Sequence, residues 1–275
     1  MKTERVSLQE YNDLADLPET IYKYREWKNP YHKTILTKRE IFFAAPDTFE
    51  DPLDCKNPIR YDLLTKKEIN ELYKHRLDLE QTISRKARRE KVREQARNSK
   101  LKDKEYIRQH NEETFKEYCK RAGVLSLTAN PKNISMWEKY SDNHQGFCVG
   151  FNTKKALEVI GAAGPVIYKE SLPIIYPEPK DSSDNLHIKR IFYKEKKWEL
   201  EQEFRAHRFR EQPMNINDRT SQLRPNAYKE VILGAKMTEE ATKELINSLP
   251  PELRSLPVKQ AVLIGDDIII KDLPI

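Results

Sequence analysis

Apolar positions along the chain fall into two textures. Residues 66–121 hold neither Pro nor Gly and space Ile69, Leu72, Tyr73, Leu77, Leu79 and Ile83, then Phe115, Tyr118 and Cys119, at helical intervals. Between Ser84 and Lys104 that stripe thins to Ala87, Val92 and Ala96. The pattern predicts two or three helices, the middle part projecting into solvent or against a partner.

The rest of the chain alternates short apolar runs with turn residues. Strands are expected at 21–27, 40–46, 123–130, 146–152, 165–170, 174–179, 201–209, 229–237, 259–265 and 267–273. Helices are expected at 134–145, 187–198 and 238–248. Strands dispersed among helices without regular βαβ alternation predict an α+β fold: mixed or antiparallel small sheets, surrounding helices, and a long charged helical insertion. The expected organisation is a single domain over 1–275 with the insertion at 66–121.

One stretch stands apart. In "KKWELEQEFR" (196–205), Glu199, Glu201, Glu203 and Arg205 fall on every second position. Period two predicts a strand with all four on one face, either a solvated edge or the floor of a site.

Charge sharpens the picture of the insertion. The net charge is +6, yet residues 66–104 hold 14 Lys and Arg against 7 Asp and Glu, so the remainder is close to neutral. Clustered Lys and Arg suit nucleic acid or an acidic protein. Cys55, Cys119 and Cys148 are widely spaced and form no CxxC pair, and the six histidines show no ligand spacing, so neither a disulfide framework nor a metal site is expected. No run of eighteen apolar residues exists, and the first residues lack an apolar signal region, so a cytoplasmic protein without a membrane contact is expected. Gly-rich phosphate loops and GxSxG are absent. Asp47, Glu50, Asp51 and Asp54 read as a structured loop around Pro46 and Pro52, since no acidic-x-Lys strand accompanies them.

Several segments in order, "YKYR" (22–25), "IFFAAPDTFEDPLDC" (41–55), "VLSLT" (124–128), "MWEKYSDNHQGFCVGF" (136–151), "WELEQEFR" (198–205) and "EVILGAKM" (230–237), resemble the bacterial domain-of-unknown-function family twenty-nine seventy-one. Glu50-Asp51-Pro52-Leu53-Asp54 departs mildly from the Asn-Asp-Pro-Phe-Asp of that family's loop. More distantly, the order Arg25, then Ser126 and Thr128, then Glu201 and Glu203 resembles the ADP-ribosyltransferases of the Arg-Ser-Glu type. That resemblance implies an enzyme using NAD as substrate to modify a macromolecule, as a bacterial toxin or antiphage effector held in check by an inhibitory partner. It casts Glu203 as the carboxylate that stabilises the ribose cation and Glu201 as the group that orients or deprotonates the acceptor. Arg25 and Ser126 would bind the cofactor, with Tyr24, Trp137 and Tyr140 as stacking groups. The alternative is a non-catalytic module that binds nucleic acid or protein through the basic helices, in which Arg25, Glu201, Glu203 and Arg205 form a buried network.

Overall fold

The structure is a computed structural model that describes residues 17–51, 53–79, 84–161 and 163–273. Its strands are β1 (Thr20–Arg25), β2 (Glu40–Phe42), β3 (Ala122–Thr128), β4 (Phe147–Asn152), β5 (Ala163–Pro165), β6 (Ile167–Lys169), β7 (Tyr193–Glu195), β8 (Glu203–Phe209), β9 (Thr220–Gln222), β10 (Tyr228–Leu233), β11 (Val258–Ile264) and β12 (Asp267–Asp272). The α-helices are α1 (Pro30–Thr37), α2 (Lys66–Leu79), α3 (Arg85–Arg97), α4 (Lys104–Arg121), α5 (Ile134–Tyr140), α6 (Thr153–Ile160), α7 (Ser183–Ile191), α8 (Ile216–Arg219) and α9 (Glu239–Ser248).

The fold is α+β. A mixed eight-stranded sheet, ordered β12-β11-β10-β4-β1-β3-β8-β5, dominates, and β2-β9 and β6-β7 form two small sheets. Within the large sheet only β10 and β11 pair in parallel. Strand alternation sorts its two faces. Ile21, Leu125, Leu127, Phe147, Val149, Phe151, Val231 and Leu233 point to one face, where Ile35 and Leu36 of α1, Ala156 and Ile160 of α6 and Leu245 of α9 complete the main core. The opposite face carries Tyr22, Tyr24, Cys148 and Ile232 beneath Trp137 of α5. On that face, towards β8, side chains turn polar.

Among the described residues the insertion holds three helices. Ile69 and Leu72 of α2 and Ile107 of α4 join Tyr61, Leu64, Leu101 and Ile175 in a satellite core. At the far end of α4, Phe115, Tyr118 and Cys119 are buried as expected. Helix α3 packs along α2 and buries none of its residues, which is why its apolar stripe is thin. Leu79 is exposed rather than part of the stripe, and Ile83 lies outside the described residues.

Local differences from the expected elements have local causes. The 174–179 run makes only an isolated bridge from Ile175 to Ile59, because Pro173, Pro177 and Pro179 withhold ladder donors. Helix α5 ends at Tyr140 rather than 145, and Asp142, Asn143 and His144 follow with φ of 47°, 51° and 68°. Helix α7 ends at Ile191, short of Trp198. Helix α1 was not anticipated, although Asn29 caps it and Pro30 opens it.

Candidate functional site

Beyond the single pair Tyr22↔Thr128, β1 and β3 diverge. Across the gap, the Lys23 ammonium donates to the Ser126 carbonyl at 2.5 Å. A pocket of about 300 Å³ opens at this divergence. Its walls are the outer half of β1, Ser126 and Leu127 of β3, the start of β8, and the loop 48–54, with Tyr140 of α5, Lys194 of β7 and Trp198 completing it.

The opening stretch folds differently from its predicted strand. Lys196–Glu201 is a 3-10 helix, Gln202 takes a left-handed conformation (φ 45°, ψ 50°), and β8 starts only at Glu203. Glu199 is consequently exposed, while Glu201, Glu203 and Arg205 are buried. The left-handed residue turns Glu201 and Glu203 towards one pocket from two different elements. Thr128 holds that corner, its hydroxyl shared between the carbonyls of Glu201 (2.9 Å) and Gln202 (3.2 Å). The register Thr128↔Glu203 and Ser126↔Arg205 sets the hydroxyl strand beside the charged one.

Arg205, at 1% exposure, is the hub. Its guanidinium donates to Asp54 at 2.8 and 2.5 Å, to Glu203 at 2.7 and 2.9 Å, and to the Ile191 carbonyl at 2.8 Å. Lys194 lies 2.6 Å from Glu201, 3.2 Å from Glu203 and 3.5 Å from Asp54. The Tyr140 hydroxyl donates to the other Glu201 oxygen at 3.0 Å. Burial would raise the Glu203 carboxyl, but Arg205, Lys194 and Ser126 overcome it and hold the carboxyl at about 2. Burial opposes the charge on Lys194, yet Glu203, Asp54 and Glu201 keep it firmly an ammonium.

Lys23 and Arg25 are in the opposite situation. Neither makes an ion pair among the described residues. Burial lowers Arg25 to about 10, and burial with the neighbouring Arg25 lowers Lys23, with Glu203 and Glu201 compensating only in part. Over the pocket, loop 48–54 is pinned by Trp198, whose indole donates to Asp51 at 2.8 Å, and by Lys139, 3.1 Å from Glu50. The Lys139 ammonium also sits 4.2 Å from the Trp198 ring centre, a cation–π contact.

Of the sequence-predicted site residues, Arg25, Tyr24, Ser126, Tyr140, Glu201 and Glu203 all line the pocket. Trp137 does not, and its assignment as a cofactor-stacking group is corrected. It is fully buried, donates to the Pro131 carbonyl at 2.9 Å and packs edge-on against Tyr24 at 5.0 Å, supporting that ring from behind. Tyr24 is itself largely enclosed, its hydroxyl donating to the Asn130 carbonyl at 2.8 Å. Sequence reasoning missed Lys23, Asp54 and Lys194. The signal for Asp54 lies in the family-like acidic run 47–54, whose turn residues account for the sequence without a site.

Residues 136–206 match the model of the family described as protein of unknown function (DUF2971). The resemblance carried by "MWEKYSDNHQGFCVGF" and "WELEQEFR" therefore holds over that segment. It supplies Met136, Lys139, Tyr140, Lys194, Trp198, Glu201, Glu203 and Arg205 to the pocket, whereas Arg25, Asp54 and Ser126 lie outside the DUF2971 match. Its left-handed turn also has a positional purpose. A Cβ on Gly146 would lie 2.2 Å from the Arg25 carbonyl oxygen, so only glycine lets the turn close on the end of β1. No curated protein and no solved structure matches the chain. Among the described residues there is no His, Cys, Asp and Glu group suited to a metal ion, and no helix long and apolar enough to cross a membrane.

Proposed function

We propose that the pocket binds NAD and that the protein transfers ADP-ribose to a macromolecular acceptor. The observation that carries this proposal is the convergence of Arg25, Ser126 and Glu203, from three neighbouring strands, on one pocket. A volume of about 300 Å³ suits the reacting half of a dinucleotide rather than all of it. Arg25 and Lys23, both without a carboxylate partner among the described residues, offer their donors to the pyrophosphate. The Tyr24 edge and the Phe49 and Trp198 rings flank the space where a nicotinamide ring would sit.

The chemistry follows from where the carboxylates stand. As the bond from ribose C1′ to the nicotinamide nitrogen breaks, its electron pair leaves with the neutral nicotinamide and positive charge develops on the sugar. Glu203, anionic throughout the physiological range, and Glu201 beside it stabilise that charge. An acceptor nucleophile then bonds to C1′, and Glu201 takes the proton it releases. Ser126 and Arg205 fix Glu203 in its orientation.

A second arrangement is favoured by one specific feature: Glu203 is clamped in two-point fashion by Nε and Nη2 of Arg205, as in a purely structural network. Calorimetry separates the two. NAD is expected to bind the wild-type protein, at least tenfold more weakly to Arg25→Ala, and at least tenfold more tightly than nicotinamide riboside, which lacks the pyrophosphate. Glu201→Gln and Glu203→Gln are expected to bind NAD but release no nicotinamide. Absence of heat with NAD, together with an unmoved melting temperature, would leave the structural network as the explanation. As a toxin or antiphage effector, the wild-type protein is expected to arrest growth of its host on induction, and Glu203→Gln is not.

A further inference from the structure

Helix α3 is unlike the other helices of the insertion in how its charge is balanced. Its thirteen residues hold seven cations, Arg85, Lys86, Arg88, Arg89, Lys91, Arg93 and Arg97, against Glu90 and Glu94. Among the described residues only Arg88 has an acidic partner, Asp78 at 2.7 Å. On α4, by contrast, Arg108 bridges Glu105 and Glu112, and Lys120 meets Glu117. One helix neutralises itself and the other does not.

The arrangement on α3 is specific. Arg85, Arg89, Arg93 and Arg97 recur every fourth residue, and at 100° per residue Lys86 falls in the same sector. Glu90 and Glu94 lie outside that sector, while Arg88, Val92, Gln95 and Ala96 are the half-buried residues towards α2. The result is an acid-free stripe of five exposed cations about 18 Å long, with arginines about 6 Å apart along the axis. Cations four residues apart repel, and Arg85 and Lys86 also sit at the unfavourable positive end of the helix dipole. Folding gains nothing from this concentration, whereas a row of phosphates relieves all of it.

We propose that this stripe is a docking surface for the backbone of double-stranded nucleic acid. The side chains on the stripe are cationic and evenly spaced without aromatic members, which suits phosphate contacts and provides no aromatic platform for unpaired bases. A membrane would need large apolar side chains beside the cations, and the apolar residue in this sector, Ala96, is small and half-buried towards α2. Binding through it is independent of sequence and does not depend on the chemistry of the pocket.

The test is fluorescence anisotropy of the full chain with a labelled twenty-base-pair duplex between 50 and 300 mM salt. Five phosphate contacts predict that log K falls with log salt at a slope of about −4.5. The Arg85→Gln/Arg89→Gln/Arg93→Gln/Arg97→Gln variant, checked for folding by circular dichroism, is expected to bind at least tenfold more weakly at 100 mM and to flatten the slope by about 3.5. An Arg108→Gln/Lys120→Gln variant of α4 is expected to bind as the wild type does. An equal loss in the α4 variant would overturn the proposal in favour of undirected net charge. Failure of the wild type to bind duplex at 50 mM salt would also overturn it, as would tighter binding to polyglutamate or to phosphatidylserine vesicles.

Discussion

Arg205→Met tests whether the pocket floor is held by charge. The side chain is 1% exposed, and its guanidinium satisfies Asp54 and Glu203, themselves 8% and 4% exposed. A methionine fills much of the same volume but leaves Asp54 and Glu203 to share Lys194 with Glu201. Breaking a buried ion pair from one side costs about 3–5 kcal/mol. At about 2–4 °C per kcal/mol for a domain of this size, melting should fall by about 6–20 °C. The pH dependence carries a second signature. In the wild type the Glu203 carboxyl is held at about 2 instead of its ordinary 4.5, so its stabilisation is complete above pH 4.5 and is lost as the pH falls towards 2. Without Arg205 that carboxyl rises, protonation relieves the unpaired charge, and the gap between variant and wild type should narrow below about pH 5. Urea denaturation at pH 7 and pH 4 measures both effects. A loss below about 1 kcal/mol at pH 7, or a gap that widens in acid, would refute the reasoning.

Arg25→Met should behave in the opposite way: it removes a cation that burial disfavours, so the melting temperature holds or rises while NAD binding is lost. A clear drop in melting temperature would mean that Arg25 is structural. Gln202 occupies a left-handed position, so Gln202→Gly should leave urea stability within about 1 kcal/mol, whereas Gln202→Val should cost about 1–2 kcal/mol. Equal effects of the two would remove backbone conformation as the reason for that corner. All three cysteines are buried, and burial pushes each thiol up, Cys119 to about 11. Ellman's reagent should therefore leave them unmodified over minutes in the native protein and titrate three in urea; one fast native thiol would contradict this.

The parts of the fold legible in the sequence were those whose physics is local. The insertion declared itself through helix formers and a 3.6 period, and "GVLSLT" and "GFCVGF" through apolar runs between turn residues. Glu201 and Glu203 were found through a period-two pattern that turned out to have another cause. They share a pocket because Gln202 bends the chain between a 3-10 helix and a strand, not because they share a strand face. No local signal announces a left-handed glutamine, which tertiary contacts such as the Thr128 hydroxyl hold in place. Lys194 and Asp54 were illegible for a related reason: each looks like one charge among many until the chain brings both to Arg205 and Glu203. Trp137 shows the opposite failure, since its place in the most family-like run marked it as important without saying that its importance is packing.

The charges of the pocket assign its labour. Five acids (Glu50, Asp51, Asp54, Glu201, Glu203) and five bases (Lys23, Arg25, Lys139, Lys194, Arg205) line it, so its formal sum is zero. The pairs are unequally distributed, however. Glu50, Asp54, Glu201 and Glu203 are matched with Lys139, Lys194 and Arg205, and Asp51 accepts from the Trp198 indole. Lys23 and Arg25 remain as cations without an ion-pair partner among the described residues, and Arg25 further disfavours the charge that burial already opposes on Lys23. The carboxylates that catalysis would use are thus fixed in advance of any ligand, as preorganised electrostatic stabilisation requires. An anionic ligand, as proposed, would supply the cations of β1 with the counter-charge that their neighbours provide only in part. On the proposed reading, affinity would be set on β1 and chemistry at the β8 corner, so substitutions at the two should act separately.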